Sequence, residues 1–137
     1  MVEIQGMNYL AIVVAWLINC GVGAFWYSPA GFAKEWTKQT KIDIMKIPQQ
    51  QATKILMSVV ASGLVQAVTL AILIRSLGSD TASEGLAAGL LMWFGLVTAT
   101  TVGVSLYSKR SWKFIGLNSL YFLVVMSANS IIFAVWQ

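Results

Sequence analysis

Charged side chains are absent from four long windows of this chain, and that spacing constrains its fold more than any other feature. No charge falls between Glu3 and Lys34, and the apolar part of that window runs from about Tyr9 to Tyr27. Lys54 and Arg75 bracket "ILMSVVASGLVQAVTLAILI", Glu84 and Lys109 bracket "GLAAGLLMWFGLVTATTVGVSLYS", and after Lys113 the chain reads "FIGLNSLYFLVVMSANSIIFAVWQ". A helix needs about 20 mainly apolar residues to cross the hydrocarbon of a bilayer. In lipid the backbone must satisfy its own hydrogen bonds, so the windows predict helices and not open strands. The expectation is all-α: an integral membrane four-helix bundle forming a single domain over residues 1–137, with spans at about 8–27, 54–75, 85–107 and 114–136. The first window lacks the positive n-region of a signal peptide, and its apolar run is longer than a typical h-region, so it reads as a retained span.

Composition agrees. Hydrophobic residues make up 58% and charged residues 10%, against about 25% charged in soluble domains. The nine Lys and Arg are too few and too scattered for a nucleic-acid surface. They fit a topology signal instead. Lys34, Lys38, Lys41, Lys46 and Lys54 follow span one, and Lys109, Arg110 and Lys113 follow span three, whereas Arg75 alone lies in the second connection. By the positive-inside rule, connections one and three face the cytoplasm and both termini lie outside, here read for a bacterial cytoplasmic (inner) membrane.

"GVGAFWYSPAGFAKEW" (21–36) is where the first window turns charged. Trp26 and Tyr27 fall where span one meets the headgroups, a level rich in such side chains. Ser28 is read as the N-cap of a new helix with Pro29 at its first position. Phe32 and Trp36, four apart, share a face, and Lys34, Lys38 and Lys41 lie mostly away from it. The segment therefore reads as a short interfacial helix between spans one and two, its aromatics in lipid. A binding site made by the same aromatics is the alternative. Pro48 is expected to open span two. In "SKRSWK", Lys109, Arg110 and Trp112 read as lipid contacts, with binding of an anionic ligand as the alternative.

No ionisable group lies inside the windows, which removes the usual carriers of proton coupling. Neutral polar groups take their place: Asn19 and Cys20 on span one; Ser58, Ser62, Gln66 and Thr69 in one stripe on span two; Thr98, Thr100, Thr101 and Ser105 on span three; Asn118, Ser119, Ser127, Asn129 and Ser130 on span four. Gly95, Ala99 and Gly103 repeat at four, as do Gly85 and Gly89. Small residues let membrane helices approach, and the amides and hydroxyls bond across the contact. Asn19, Gln66, Asn118 and Asn129 are thus expected to point at other helices, or else to line a solute path. Cys20 reads as a packing residue. With no histidine and one cysteine, no metal site, cofactor or catalytic set is expected.

These residues carry a family resemblance. "NYLAIVV", "GAFWYSP", Phe32 and Trp36, then "WFGLVTATTVGVSLYSKRSWKF" and "NSLYFLVVMSANSIIFAVWQ", resemble the small membrane proteins grouped as domain of unknown function 1761, with Trp26-Tyr27-Ser28-Pro29 the most specific part. The resemblance implies a four-span membrane protein and no particular activity. Many relatives carry an acidic residue near Tyr107-Ser108-Lys109, and this chain has none there. The two halves, "FWYSPAGFAKEW" and "LYSKRSWKF", share too little to establish an internal repeat.

Three functions compete. The first is a structural or interaction subunit that self-associates or packs on a larger membrane complex, with the lipid bilayer as its other partner. The second is a channel or carrier for a small neutral or lipid-like solute. The third is a membrane enzyme binding an anionic co-substrate at the basic loops, an analogy to four-span glutathione-dependent enzymes.

Overall fold

The structure is a computed structural model that describes residues 1–2 and 4–137, without the side chain of Ile44. Glu3, the charge that bounds the first window, lies outside the described residues. Every regular element among the described residues is helical. In chain order these are α1 (Tyr9–Trp26), α2 (Ala33–Thr40), a 3-10 turn (Ile44–Lys46), α3 (Gln49–Ser76), α4 (Ala82–Met92), a π-helical segment (Trp93–Thr98), α5 (Ala99–Tyr107) and α6 (Trp112–Val135). The segments α4, π and α5 form one continuous rod. Among the described residues, four helices are long and apolar enough to cross a membrane: Tyr9–Trp26, Gln49–Ser76, Ala82–Tyr107 and Trp112–Val135.

Local chemistry sets the helix ends. The Asn8 side chain accepts from Ala11 N at 3.1 Å to start α1. Thr81 and Glu84 form a reciprocal capping box at the start of α4. Ser111 accepts from Phe114 N at 3.2 Å to start α6. Pro48 precedes α3 as expected, but the helix already begins at Gln49, five residues before the apolar window. Gln49–Thr53, three glutamines followed by Ala52 and Thr53, tolerate a helix, and its 28 residues span about 42 Å, more than hydrocarbon requires.

Helix α6 is the hub, packing against α1, α2, α3, the α4 rod and α5. Its closest neighbour is α4. A Cβ on Gly85 would lie 2.5 Å from Ser130 O and 2.6 Å from Ala134 Cβ, and one on Gly89 would lie 2.2 Å from Ser130 Oγ. Only glycine permits that approach, as in small-residue helix contacts generally. The second small stripe differs. Among the described residues, no other helix comes within 4 Å of a Cβ position on Gly95 or Gly103, and Ala99 between them is exposed.

The buried apolar core joins Ala11, Ile12 and Ala15 of α1 to Ala67, Leu70, Ala71 and Ile74 of α3 and Met126, Phe133 and Ala134 of α6. It lies at the end where the chain termini meet the 77–81 turn. There Asn8 Nδ2 donates to Trp136 O at 3.5 Å and Gln137 Nε2 to Ser79 O at 2.9 Å. Toward the opposite end α3 leaves its neighbours: between Gln49 and Val59 every residue but Ala52 is exposed.

Candidate functional site

Three groups of side chains stand out along the helices, beginning at mid-depth. Asn19 joins three helices there. Its Nδ2 donates to Gly63 O of α3 at 3.2 Å and to Gln66 Oε1 at 3.4 Å, and its Oδ1 accepts from Asn129 Nδ2 of α6 at 2.6 Å. The Gly63 carbonyl can only accept, so it sets the direction of the whole chain of amides. Nδ2 of Asn19 must face α3, its Oδ1 must face α6, and Asn129 must present Nδ2 to it. Oδ1 of Asn129 is then a fully buried acceptor with no protein partner among the described residues. Tyr121 Oη donates to Asn19 O at 3.3 Å beside this cluster.

The stripe expected on α3 does not form a common buried face. Gln66 is half-buried in the amide cluster, but Ser58, Ser62 and Thr69 are exposed. Ser58 Oγ donates to Lys54 O at 2.9 Å and Ser62 Oγ to Ser58 O at 2.8 Å. A hydroxyl bonded to its own helix four residues back needs no neighbour, whereas a primary amide cannot be satisfied that way in full.

An aromatic group covers the open end. Trp26 Nε1 donates to Leu117 O at 3.2 Å, and Tyr27 Oη donates to Asn118 Oδ1 at 2.8 Å. Asn118 Nδ2 turns back to Phe114 O of its own helix at 2.9 Å. Asn118 therefore stands apart from the other three amides. Phe32 packs on Trp26 with centroids 4.6 Å apart, Trp36 meets Tyr27 at 6.5 Å, and Tyr121 lies 5.7 Å from Tyr27. The polar tips of Trp26 and Tyr27 are thus bonded to α6.

Ser28 does not cap the next helix. Helix α2 begins at Ala33 behind Phe32, with no side-chain cap. Ser28 Oγ instead donates to Phe25 O at 2.7 Å and accepts from Gly31 N at 3.3 Å. It closes the turn that ends α1, with Pro29 inside that turn. The chain reverses so tightly that a Cβ at Gly31 would sit 2.2 Å from Phe25 O. Serine suits both an N-cap and a tight turn, and here the turn lets α2 pack on α6.

The third group is basic. Ser111 Oγ donates to Gln39 Oε1, joining α2 to the start of α6, and Gln39 Nε2 donates to Glu35 Oε1 at 2.7 Å. Lys38 and Lys41 flank Gln39 in the chain, and Lys109, Arg110 and Lys113 flank Ser111. Arg110 lies over the Phe114 ring at 5.5 Å. Trp112 is 67% exposed nearby in the chain.

Sequence reasoning missed two bonded indoles. Trp16 Nε1 donates to Val60 O at 2.9 Å and Trp93 Nε1 to Ser119 O at 2.7 Å. The available signal was their position in the middle of apolar windows, because an indole N–H among apolar groups must find an acceptor. Among the described residues, no group of three or more His, Cys, Asp or Glu is placed to hold a metal ion.

No curated protein matches the chain, and neither does any solved structure. The family model described as "Protein of unknown function (DUF1761)" matches residues 10–134, from the first turn of α1 to the last of α6. With nearly all of its length covered, from the Asn19 amide cluster to the turn at Ser28, the chain belongs to the DUF1761 family.

Proposed function

We propose that this is a four-span integral membrane protein of a bacterial cytoplasmic membrane, a helix bundle with both termini outside and α2 lying in the cytoplasmic interface. It acts as a structural or interaction subunit, not an enzyme, and self-associates or packs on a larger membrane complex. The observation that carries this reading is how the polar groups of the spans are used. Asn19, Gln66 and Asn129 bond one helix to another, and the indoles of Trp16, Trp26 and Trp93 each donate to a backbone carbonyl of a neighbouring helix. Polar atoms already bonded between helices are not free to bind a passing solute or a substrate. The exposed Gly95–Ala99–Gly103 stripe adds an outer surface that a second helix can approach closely. Purification in mild detergent with native lipids, followed by mass spectrometry of the intact particle, tests the reading. A defined multiple of the chain or a discrete partner is expected. A bare monomer that drives solute flux in vesicles overturns it.

One observation favours a carrier instead. The buried Oδ1 of Asn129 is an acceptor without a partner among the described residues, and a buried polar atom of that kind costs about 1–3 kcal/mol unless something bonds it. If a neutral solute donates to it, Asn129→Leu removes flux in reconstituted vesicles while the particle stays assembled.

A further inference from the structure

The backbone carries an oddity that the helix contacts do not explain. Among the described residues, the non-glycine positions with positive φ are Lys41 at 59° and Lys109 at 56°. Both follow a helix C-terminus, α2 and α5 respectively, where glycine is the usual residue because it has no Cβ to clash. A cation near a helix C-terminus recovers part of that cost through the helix dipole. The same charge could equally be placed on a neighbouring, unstrained residue. Lysine at both strained corners therefore points to a use for the charge at those positions.

The fold brings the two corners to one region. The Ser111–Gln39 bond joins α2 to the start of α6. Lys38 and Lys41 then lie within two residues of one end of that bond, and Lys109, Arg110 and Lys113 within two residues of the other. Lys38, Lys41, Lys109 and Lys113 are exposed, and Arg110 is held over Phe114. The nearby acids offset only part of this charge. Glu35, which accepts from Gln39, keeps its charge against five cations, and Asp43 is spent on Lys46 at 3.6 Å. Exposed aromatics accompany the cations: Tyr107 at 95%, Trp112 at 67% and Phe32 at 41%.

We propose that this surface binds the headgroups of acidic phospholipids, the cations holding the phosphate while the exposed aromatics rest against the upper acyl chains. Cations alone would suit any polyanion, but aromatic side chains exposed beside them suit a ligand that is charged at one end and apolar at the other. A second copy of the chain is disfavoured on this face, since a two-fold contact would set like charges against each other. The inference rests on the membrane-spanning reading above.

The test uses the full chain reconstituted into vesicles of equal phosphatidylglycerol and phosphatidylcholine. Resistance to an alkaline carbonate wash reports on spanning independently. Lipids that stay with the protein after gentle extraction are then counted by native mass spectrometry. The unmodified chain should retain phosphatidylglycerol several-fold over phosphatidylcholine. Lys41→Gly with Lys109→Gly relieves both strained corners, so the fold should be as stable as before or more so. Its lipid preference should fall by about fivefold or more, the factor that a single cation contributes beside an anionic leaflet. Lys46→Gln with Lys54→Gln removes as much charge away from the Ser111–Gln39 bond and should keep the preference. Equal retention of the two lipids by the unmodified chain overturns the proposal, as does an unchanged preference in the double-glycine variant. An equal loss in the Lys46/Lys54 variant overturns it in favour of diffuse charge, and displacement of the lipid by inorganic phosphate overturns it in favour of a soluble anion.

Discussion

Asn19 shows how one residue can set the bonding of three helices. Its donor and acceptor sides are distinguished by the Gly63 carbonyl, and Gln66 and Asn129 orient to match. Losing the hub should therefore cost more than losing a spoke. Asn19→Leu removes bonds to both neighbouring helices and is expected to lower stability by about 2 kcal/mol, while Gln66→Leu removes one long bond and is expected to cost about 0.6 kcal/mol. Unfolding in mixed micelles measures both. Equal losses would mean that the amides contribute only volume. Ser58 and Ser62 fit the same logic from the other side, since their hydroxyls are satisfied within α3.

At the scale of elements, the informative comparison is between two glycine stripes on one rod. Gly89 faces Ser130 with no room for a methyl group, and Gly103 faces open surface. Gly89→Ala should destabilise the α4–α6 contact by about 1–3 kcal/mol, as overpacking does. Gly103→Ala should stay within about 0.5 kcal/mol for the isolated chain, and a larger loss at Gly103 only in the assembled particle would locate a partner there. Thermal unfolding of each variant, alone and assembled, reads this directly. The π-helical segment Trp93–Thr98 lies between Gly89 and Gly103 and contains Gly95. An extra residue per turn rotates α5 about the rod axis relative to α4, and the packed stripe gives way to the open one across it. The turn at the end of α1 is a second sensitive element. Gly31→Ala cannot keep the reversal beside Phe25 O, so α2 should detach from α6, and proteolysis after Lys34, Lys38 or Lys41 should speed up.

At the scale of the whole molecule, charge is distributed along one axis. Lys34, Lys38, Lys41, Lys46, Lys54, Lys109, Arg110 and Lys113 belong to the end built from α2 and the starts of α3 and α6, and Arg75 belongs to the other. With Cys20 replaced by alanine, a cysteine introduced at position 80 should react with a membrane-impermeant maleimide on intact cells. One introduced at position 41 should react only after the membrane is opened. The reverse pattern would invert the proposed topology.

The existence and rough limits of the four long helices were legible in the sequence, because each depends on a local sum: enough apolar residues in a row between charges or a chain end. Other features depend on which surfaces meet, and no local sum contains that. Pattern alone grouped Ser58, Ser62, Gln66 and Thr69, yet of these only Gln66 bonds to a neighbouring helix, because α3 crosses α1 near Val60 and Gly63 and then departs from it toward Gln49. Spacing alone made Gly85–Gly89 and Gly95–Gly103 equivalent, and the proximity of α6 separates them. Composition placed Trp26 and Tyr27 at a water–lipid boundary, while the tertiary structure bonds their polar tips to α6 through Leu117 and Asn118. A side chain's type states what it must bond. Only the packing of helices distant in the chain decides which atom answers it.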